Sequence, residues 1–281
     1  MASEIPDDII DLILEEVGNK LNTEDEERLT LQACLFVSKA FRHFALARLF
    51  FHTVISNRCL LDSSYLSILR QVLTPLPNSD LEHVNHHIGL LTVGFITLTD
   101  VHDKENTERV QQYKELLNNP DFVYILNKMH HKTFGIQRLH LDFSQTSNGI
   151  KWTDFNPELQ AALRSLVSSQ FLKVLDVGGV DLLPTDFLAS SKVTGLRLQR
   201  LTPNFIHQEG ADTPERKIDI MDPPPELKNL VSDNTYIYKP AQRLIALELD
   251  LIPSIIAEDS LDLVKSCSGT LEDLNIRFSG T

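Results

Sequence analysis

From residue 88 onward one pattern returns along the chain: an apolar residue, two variable residues, an apolar residue, one variable residue, and a third apolar residue. It stands at Ile88/Leu91/Val93, Ile136/Leu139/Leu141, Leu172/Leu175/Val177, Val193/Leu196/Leu198, Leu244/Leu247/Leu249 and Leu271/Leu274/Ile276. Apolar positions two apart are the signature of a strand with one buried face. Helical spacing precedes several of these strands. Asn119-Pro120 begins Phe122, Val123, Leu126 and Met129; Asn156-Pro157 begins Leu159, Leu163, Leu166 and Val167; Ser260 begins Leu261, Leu263 and Val264. Helices alternating with strands predict parallel strands joined by crossovers, and the shared pattern predicts stacked repeats. A plain open α/β sheet is the alternative.

The first 55 residues follow a different rule. Pro6 suits the first turn of a helix, with Ser3 upstream as a cap and Asp7, Asp8 and Asp11 where the helix dipole favours negative charge. Ile9, Ile10, Ile13, Leu14 and Val17 then form an apolar stripe, closed by Gly18-Asn19. A second helix is predicted from about Glu26 to Val37, with Leu29, Leu31, Leu35 and Phe36 as its apolar positions. A third starts at Ser38 and carries Phe41, Phe44, Ala45, Leu49 and Phe50. Three short helices bury little surface and need a partner or the downstream domain. Charge is segregated along the block. Before Arg28 the only base is Lys20, and from Arg28 to Leu61 there is no acid but there are Arg28, Lys39, Arg42, Arg48 and Arg58. Attraction between the acidic first helix and the basic third is expected to orient them, with a modest contribution from any exposed pair.

Ile5-Pro6-Asp7-Asp8-Ile9-Ile10, then Val37-Ser38-Lys39-Ala40-Phe41, then Leu49-Phe50 resemble an F-box, of the divergent type abundant in basidiomycete fungi. The resemblance implies a three-helix module that docks on the Skp-family adaptor of an SCF ubiquitin ligase and, through it, on a cullin. By position, the adaptor-facing residues it implies are Ile5, Pro6, Ile9, Ile13, Leu31, Val37, Lys39 and Phe41. The later strands resemble leucine-rich repeats of the irregular kind that follows the F-box in many fungal proteins. The implied fold class is α/β, a three-helix F-box-like module followed by an irregular leucine-rich-repeat-like solenoid with parallel strands.

The domains expected are residues 1–56 for the helical module, 57–86 for a helical linker, and 87–281 for the repeat-like domain with a proline-rich insertion at 202–240. The linker holds a helix from Ser63 to Leu73, ended by Thr74-Pro75-Leu76-Pro77, and Ile88 to Leu98 reads as a buried strand. Ser144 to Thr153 reads as a polar loop. Thr202 to Pro240 carries Pro203, Pro214, Pro223-Pro224-Pro225 and Pro240, and a stretch so rich in proline is expected to leave the sheet as a surface loop. The last residues, Leu274 to Ser279, read as a strand, and the end of a stack of repeats needs a cover for its last apolar face.

A net charge of −13 over 281 residues argues against nucleic acid or an anionic membrane as the main partner. No apolar run reaches the roughly 18 residues a membrane helix needs. Cys34, Cys59 and Cys267 are odd in number and scattered, and no Asn-x-Ser/Thr sequon occurs, so a cytoplasmic or nuclear location is expected. Catalytic and ligand motifs are missing. Gly89-Leu90-Leu91-Thr92-Val93-Gly94 has the glycine spacing of a phosphate loop, but Phe95-Ile96 stand where Lys and Ser/Thr are required, so it reads as a strand. His83, His86 and His87 with Glu82 lack the order of a zinc helix, as does His130-His131.

Together these readings predict a non-catalytic adaptor with no cofactor or metal, whose helical module docks on a ligase and whose repeats present an unknown target protein. Target-facing residues are expected at exposed strand positions such as Gln137, His140, Lys173, Arg197 and Gln199. The competing expectation is a repeat-domain scaffold that binds proteins and recruits no ligase.

Overall fold

The computed structural model describes residues 6–20, 24–56, 64–74, 84–94, 114–115, 117–130, 134–143, 150–184, 186–199, 205–206, 217–218, 225–232, 244–251, 264–265 and 267–278. The chain begins with three helices: α1 (Asp7–Lys20), α2 (Glu24–Cys34) and α3 (Lys39–Phe50). β1 (His52–Ser56) follows with only Phe51 between. Then come α4 (Tyr65–Leu73), a 3-10 turn at Val84–His87, β2 (Leu90–Gly94), α5 (Pro120–Lys128), β3 (Arg138–Asp142), β4 (Ile150–Lys151) and α6 (Pro157–Val167). The strands that follow are β5 (Val174–Gly178), β6 (Val180–Asp181), β7 (Gly195–Gln199), β8 (Phe205–Ile206), β9 (Lys217–Ile218), β10 (Asn229–Ser232), β11 (Ala246–Leu251) and β12 (Asp273–Phe278), with Val264, Lys265 and Cys267 helical between the last two.

Eight strands form one parallel sheet in chain order, β1-β2-β3-β5-β7-β10-β11-β12. The register never slips. Leu91, Leu139, Leu175, Leu196, Leu230, Leu247 and Leu274 pair in succession, and so do Val93, Leu141, Val177, Leu198, Ser232, Leu249 and Ile276. Both rows turn to the same face and, except for Leu274 and Ile276 of β12, are buried there beneath α4, α5 and α6. The first apolar residue of each pattern, from Ile88 and Ile136 to Leu244, is buried in that core as well. All six strands expected from the apolar pattern are present.

A backbone device repeats with the pattern. At each junction the carbonyl of the residue before one strand accepts two N–H donors from the next. Phe51 O takes Gly89 and Leu90, Gly89 O takes Gln137 and Arg138, and Gln137 O takes Lys173 and Val174. Lys173 O, Thr194 O, Lys228 O and Ile245 O continue the series to Glu272 and Asp273, at 2.7–3.1 Å throughout. Spacing in sequence is irregular, yet every strand starts level with its neighbour.

The helices are capped as their sequences dictate. Asn119 Oδ1 accepts from Asp121 N–H at 2.8 Å and Asn156 Oδ1 from Leu159 N–H at 2.7 Å, with Pro120 and Pro157 in the first turn. Arg70 of α4 meets Asp121 of α5 at 2.6 Å, and the Thr74 and Tyr124 hydroxyls bond at 2.9 Å beside it.

Four expectations change. His52–Ser56 is the first strand of the sheet, so a boundary at residue 56 falls inside the sheet; Thr53 stands where the pattern would have an aliphatic residue, its hydroxyl donating to Phe50 O at 3.3 Å. The helix expected to link two domains is α4, whose Leu66, Leu69 and Leu73 are part of the sheet's core. The loop expected at Ser144–Thr153 contains β4, paired with β6, and buried Ile150 and Trp152; residues 144–149 lie outside the described residues. The stretch 202–240, expected to leave the sheet, contributes β10 between β7 and β11, with Leu227 and Leu230 buried. Its prolines fall outside this strand, and Ser232 occupies the third position of the pattern.

The Gly89–Gly94 stretch is β2 with its lead-in residue. A Cβ on Gly94 would stand 2.9 Å from the Asp142 carbonyl oxygen, so this glycine permits close approach of the next strand. The expected helix start at Ser260 lies outside the described residues.

Leu175 is fully buried at the centre of the sheet, whereas Leu274 lies on its edge strand. Leu175→Ala is expected to cost about 2–5 kcal/mol in urea unfolding, and Leu274→Ala under about 1 kcal/mol. Equal losses would refute the placement of the core.

Candidate functional site

Two surfaces carry side chains that the core does not consume. The first is on the helical module. Ile10 and Leu14 of α1, Leu31 of α2 and Ala45 of α3 are its buried centre, with Leu35, Phe41, Phe44 and Leu49 packed around them. The Ser38 hydroxyl accepts from Phe41 N–H at 3.2 Å and caps α3, and Arg42 Nε donates to Leu35 O at 2.9 Å at the end of α2. Arg48 joins the basic third helix to the acidic first, as the charge pattern anticipates. Its guanidinium donates to Leu14 O at 3.3 Å and Asp11 O at 3.4 Å, and meets Asp11 Oδ1 at 3.3 Å.

α1 carries apolar side chains outside this core too. Ile9, Leu12 and Ile13 are exposed on it, and the turn after α2 exposes Phe36 at 85 % and Val37 at 63 %. Leu29 is exposed on α2 itself. Of the adaptor-facing residues the resemblance implies, Pro6, Ile9, Ile13, Val37 and Lys39 are exposed. Leu31 is corrected: at 4 % exposure it is spent in the module's own core, because the face of α2 turned toward α1 and α3 carries it. Phe41 is half-buried against that core, and Ile5 lies outside the described residues. The exposure of Leu12, Leu29 and Phe36 was not anticipated. α2 ends at Cys34, before the expected boundary at Val37, and this takes Phe36 off the helix and out of the core.

The second surface is the sheet face opposite the leucine rows. Register sets Val54, Thr92, His140, Asp176, Arg197, Val231, Glu248 and Asn275 side by side across it. His140 and Arg197 thus stand on either side of Asp176, with His140 Nε2 at 3.8 Å from Asp176 Oδ2. Burial pushes the Asp176 carboxyl above its ordinary value; His140 and Arg197 oppose the shift, and Asp142 adds to it. Its Oδ1 is buried without a hydrogen-bond partner among the described residues. Thr92, on the other side of His140, is bonded to His52 Nε2 at 3.0 Å. At the middle of the row the Asp176 carboxyl thus stands between an imidazole and a guanidinium.

Not every expected target residue is in this row. Gln137 and Lys173 are exposed, but they are the lead-in residues before β3 and β5, joined by Lys173 N–H to Gln137 O at 2.8 Å. They stand at the sheet's N-terminal margin. Gln199 closes β7 opposite Gly178, and its side chain lies outside the described residues. Asp176 was missed, although its place before the last apolar position of its pattern matches that of His140 and Arg197.

The histidine groups fall elsewhere. Glu82, His83 and His131 lie outside the described residues. His86 lies against Phe134 with centroids 3.9 Å apart and ring planes tilted by 44°, and His87 meets His43 of α3 edge-on at 5.1 Å. Among the described residues no group of three or more His, Cys, Asp or Glu is placed to hold a metal ion, and no helix is long and apolar enough to cross a membrane. Compared with models of known families, with curated proteins and with solved structures, the chain matches none.

Because burial raises the Asp176 pKa on folding, Asp176→Asn is expected to raise Tm at pH 7. Stability from the protonated form is complete below the ordinary value of 3.8 and is lost as pH rises through the folded pKa. The two proteins should therefore converge in acid. A Tm difference independent of pH would exclude burial of the charge as its cause.

Proposed function

We propose that this chain is the target-recognition subunit of an SCF-type ubiquitin ligase, built from an F-box-like module and a leucine-rich-repeat-like solenoid. The observation that carries the reading is the second apolar surface of a module whose core is already complete: Ile9, Leu12, Ile13, Phe36 and Val37 are exposed while Ile10, Leu14, Leu31 and Ala45 are buried. Apolar side chains left outside a small closed core suit burial against another polypeptide. A Skp-family adaptor is the occupant that the order of the sequence motifs suggests.

The sheet supports the second half of the reading. In this sequential parallel sheet the helices named here lie on one face and no described helix covers the other, whereas all-parallel sheets generally have both faces covered. The open face carries the His140–Asp176–Arg197 strip, and β1 follows α3 directly, so a target on the strip is held at a fixed distance from the adaptor. Ubiquitin transfer would then be accelerated by proximity, through the effective concentration of target lysines near the charged conjugating enzyme. The chain itself supplies no catalytic group in this reading.

The test is co-expression with a Skp-family adaptor followed by size-exclusion chromatography. A stable complex is expected, and Ile9→Asp with Val37→Asp should weaken it about a hundredfold or more by placing two charges in an apolar interface. Neither side chain belongs to the module's core, so circular dichroism and Tm should stay close to those of the parent. Absence of a complex, or one indifferent to both substitutions, would reject the docking assignment and leave a protein-binding scaffold without ligase recruitment.

A further inference from the structure

The last strand of the sheet exposes on its inner rows what the middle strands hide. Leu274 and Ile276 continue the two aliphatic rows, yet they are 43 % and 39 % exposed. Among the described residues nothing pairs with the strand's outer edge either. Asp273 N–H donates to Ile245 O at 3.0 Å, so Asp273 and the residues two and four further on turn their backbone groups to β11. By alternation, the N–H and C=O of Leu274 and Ile276 face outward, and among the described residues no strand pairs with them. An open edge of this kind is a template for another strand.

The strand's own sequence fits that template. Asp273-Leu274-Asn275-Ile276-Arg277 is self-complementary about Asn275. When two copies pair antiparallel about a twofold axis at Asn275, Leu274 stands opposite Ile276 of the second copy and Asp273 opposite Arg277 of the second copy, each pair occurring twice. Opposed residues share a face, so the aliphatic pairs extend the apolar rows and the charged positions fall on the polar face. The hydrogen-bonded pairs are those of Leu274 and Ile276, whose backbone groups are the ones left open. A slip of one residue would set apolar against polar faces, and a slip of two would set Asp273 against Asn275 and unmatch the charges.

We infer that β12 is a self-association edge, through which two copies of this chain join their sheets into one continuous sheet. The inference is independent of ligase docking, which uses the opposite end of the chain. A closed twofold contact consumes both open edges and stops at a dimer.

Sedimentation velocity or light scattering of the full chain over a concentration series should show a monomer–dimer equilibrium. Asp273→Arg makes both charged pairs like-charged and is expected to weaken the dimer about tenfold or more. Adding Arg277→Asp to it restores opposite charges in reversed order and should recover the parent affinity. Ile276→Pro removes an outward N–H while leaving the bonds to β11, and should abolish the dimer with an unchanged circular dichroism spectrum. A monomeric mass at every soluble concentration, assembly beyond a dimer, or a dimer indifferent to Asp273→Arg would overturn the assignment.

Discussion

Constant register is the constraint on which this molecule rests. Side chains alternate faces along a strand, so a slip of one residue at any junction would send a leucine row to water and a polar row into the core. The doubly accepting carbonyls of Phe51, Gly89, Gln137, Lys173, Thr194, Lys228 and Ile245 act where such a slip would begin, at the residue before each strand. They fix the start of each strand whatever the length of chain between strands. Irregular spacing in sequence is thereby compatible with a regular sheet.

The same constraint creates the polar strip. His140, Asp176 and Arg197 come from strands separated by long connections, and they are neighbours only because Leu139, Leu175 and Leu196 are neighbours on the other side of the sheet. The strip accepts a cost. A carboxylate held between a histidine and an arginine, with one oxygen buried and unpaired among the described residues, is worse solvated than it would be in water.

The helical module obeys a different economy. Its core is four small or aliphatic side chains with a half-buried rim that includes Leu35, Phe41, Phe44 and Leu49, and Arg48 ties α1 to α3 through backbone carbonyls as well as through Asp11. Its first helix carries an apolar surface. Part of that surface closes the module and part is left over, and α3 runs into β1 with only Phe51 between them.

Much of this was legible in the sequence. The six strands with three aliphatic positions, the two Asn-Pro helix starts, the three N-terminal helices and the attraction between the first and third followed from spacing, capping chemistry and charge, which are local properties. The helix expected before β12 starts outside the described residues, but Val264, Lys265 and Cys267 are helical there. β1 and β10 were hidden because Thr53 and Ser232 stand where the pattern has an aliphatic residue; their burial is supplied by neighbouring strands rather than by their own hydropathy. Nor do sequence positions say which side of α1 turns inward, since Ile9 and Ile13 are as apolar as Ile10 and Leu14. Packing against Leu31 and Ala45 decided it, and decided also that Leu31 is core and Phe36 surface. The sequence by itself determined which segments alternate and which coil. Only the tertiary structure determined which residues from distant segments share a face, because register is a relation between strands and no single strand contains it.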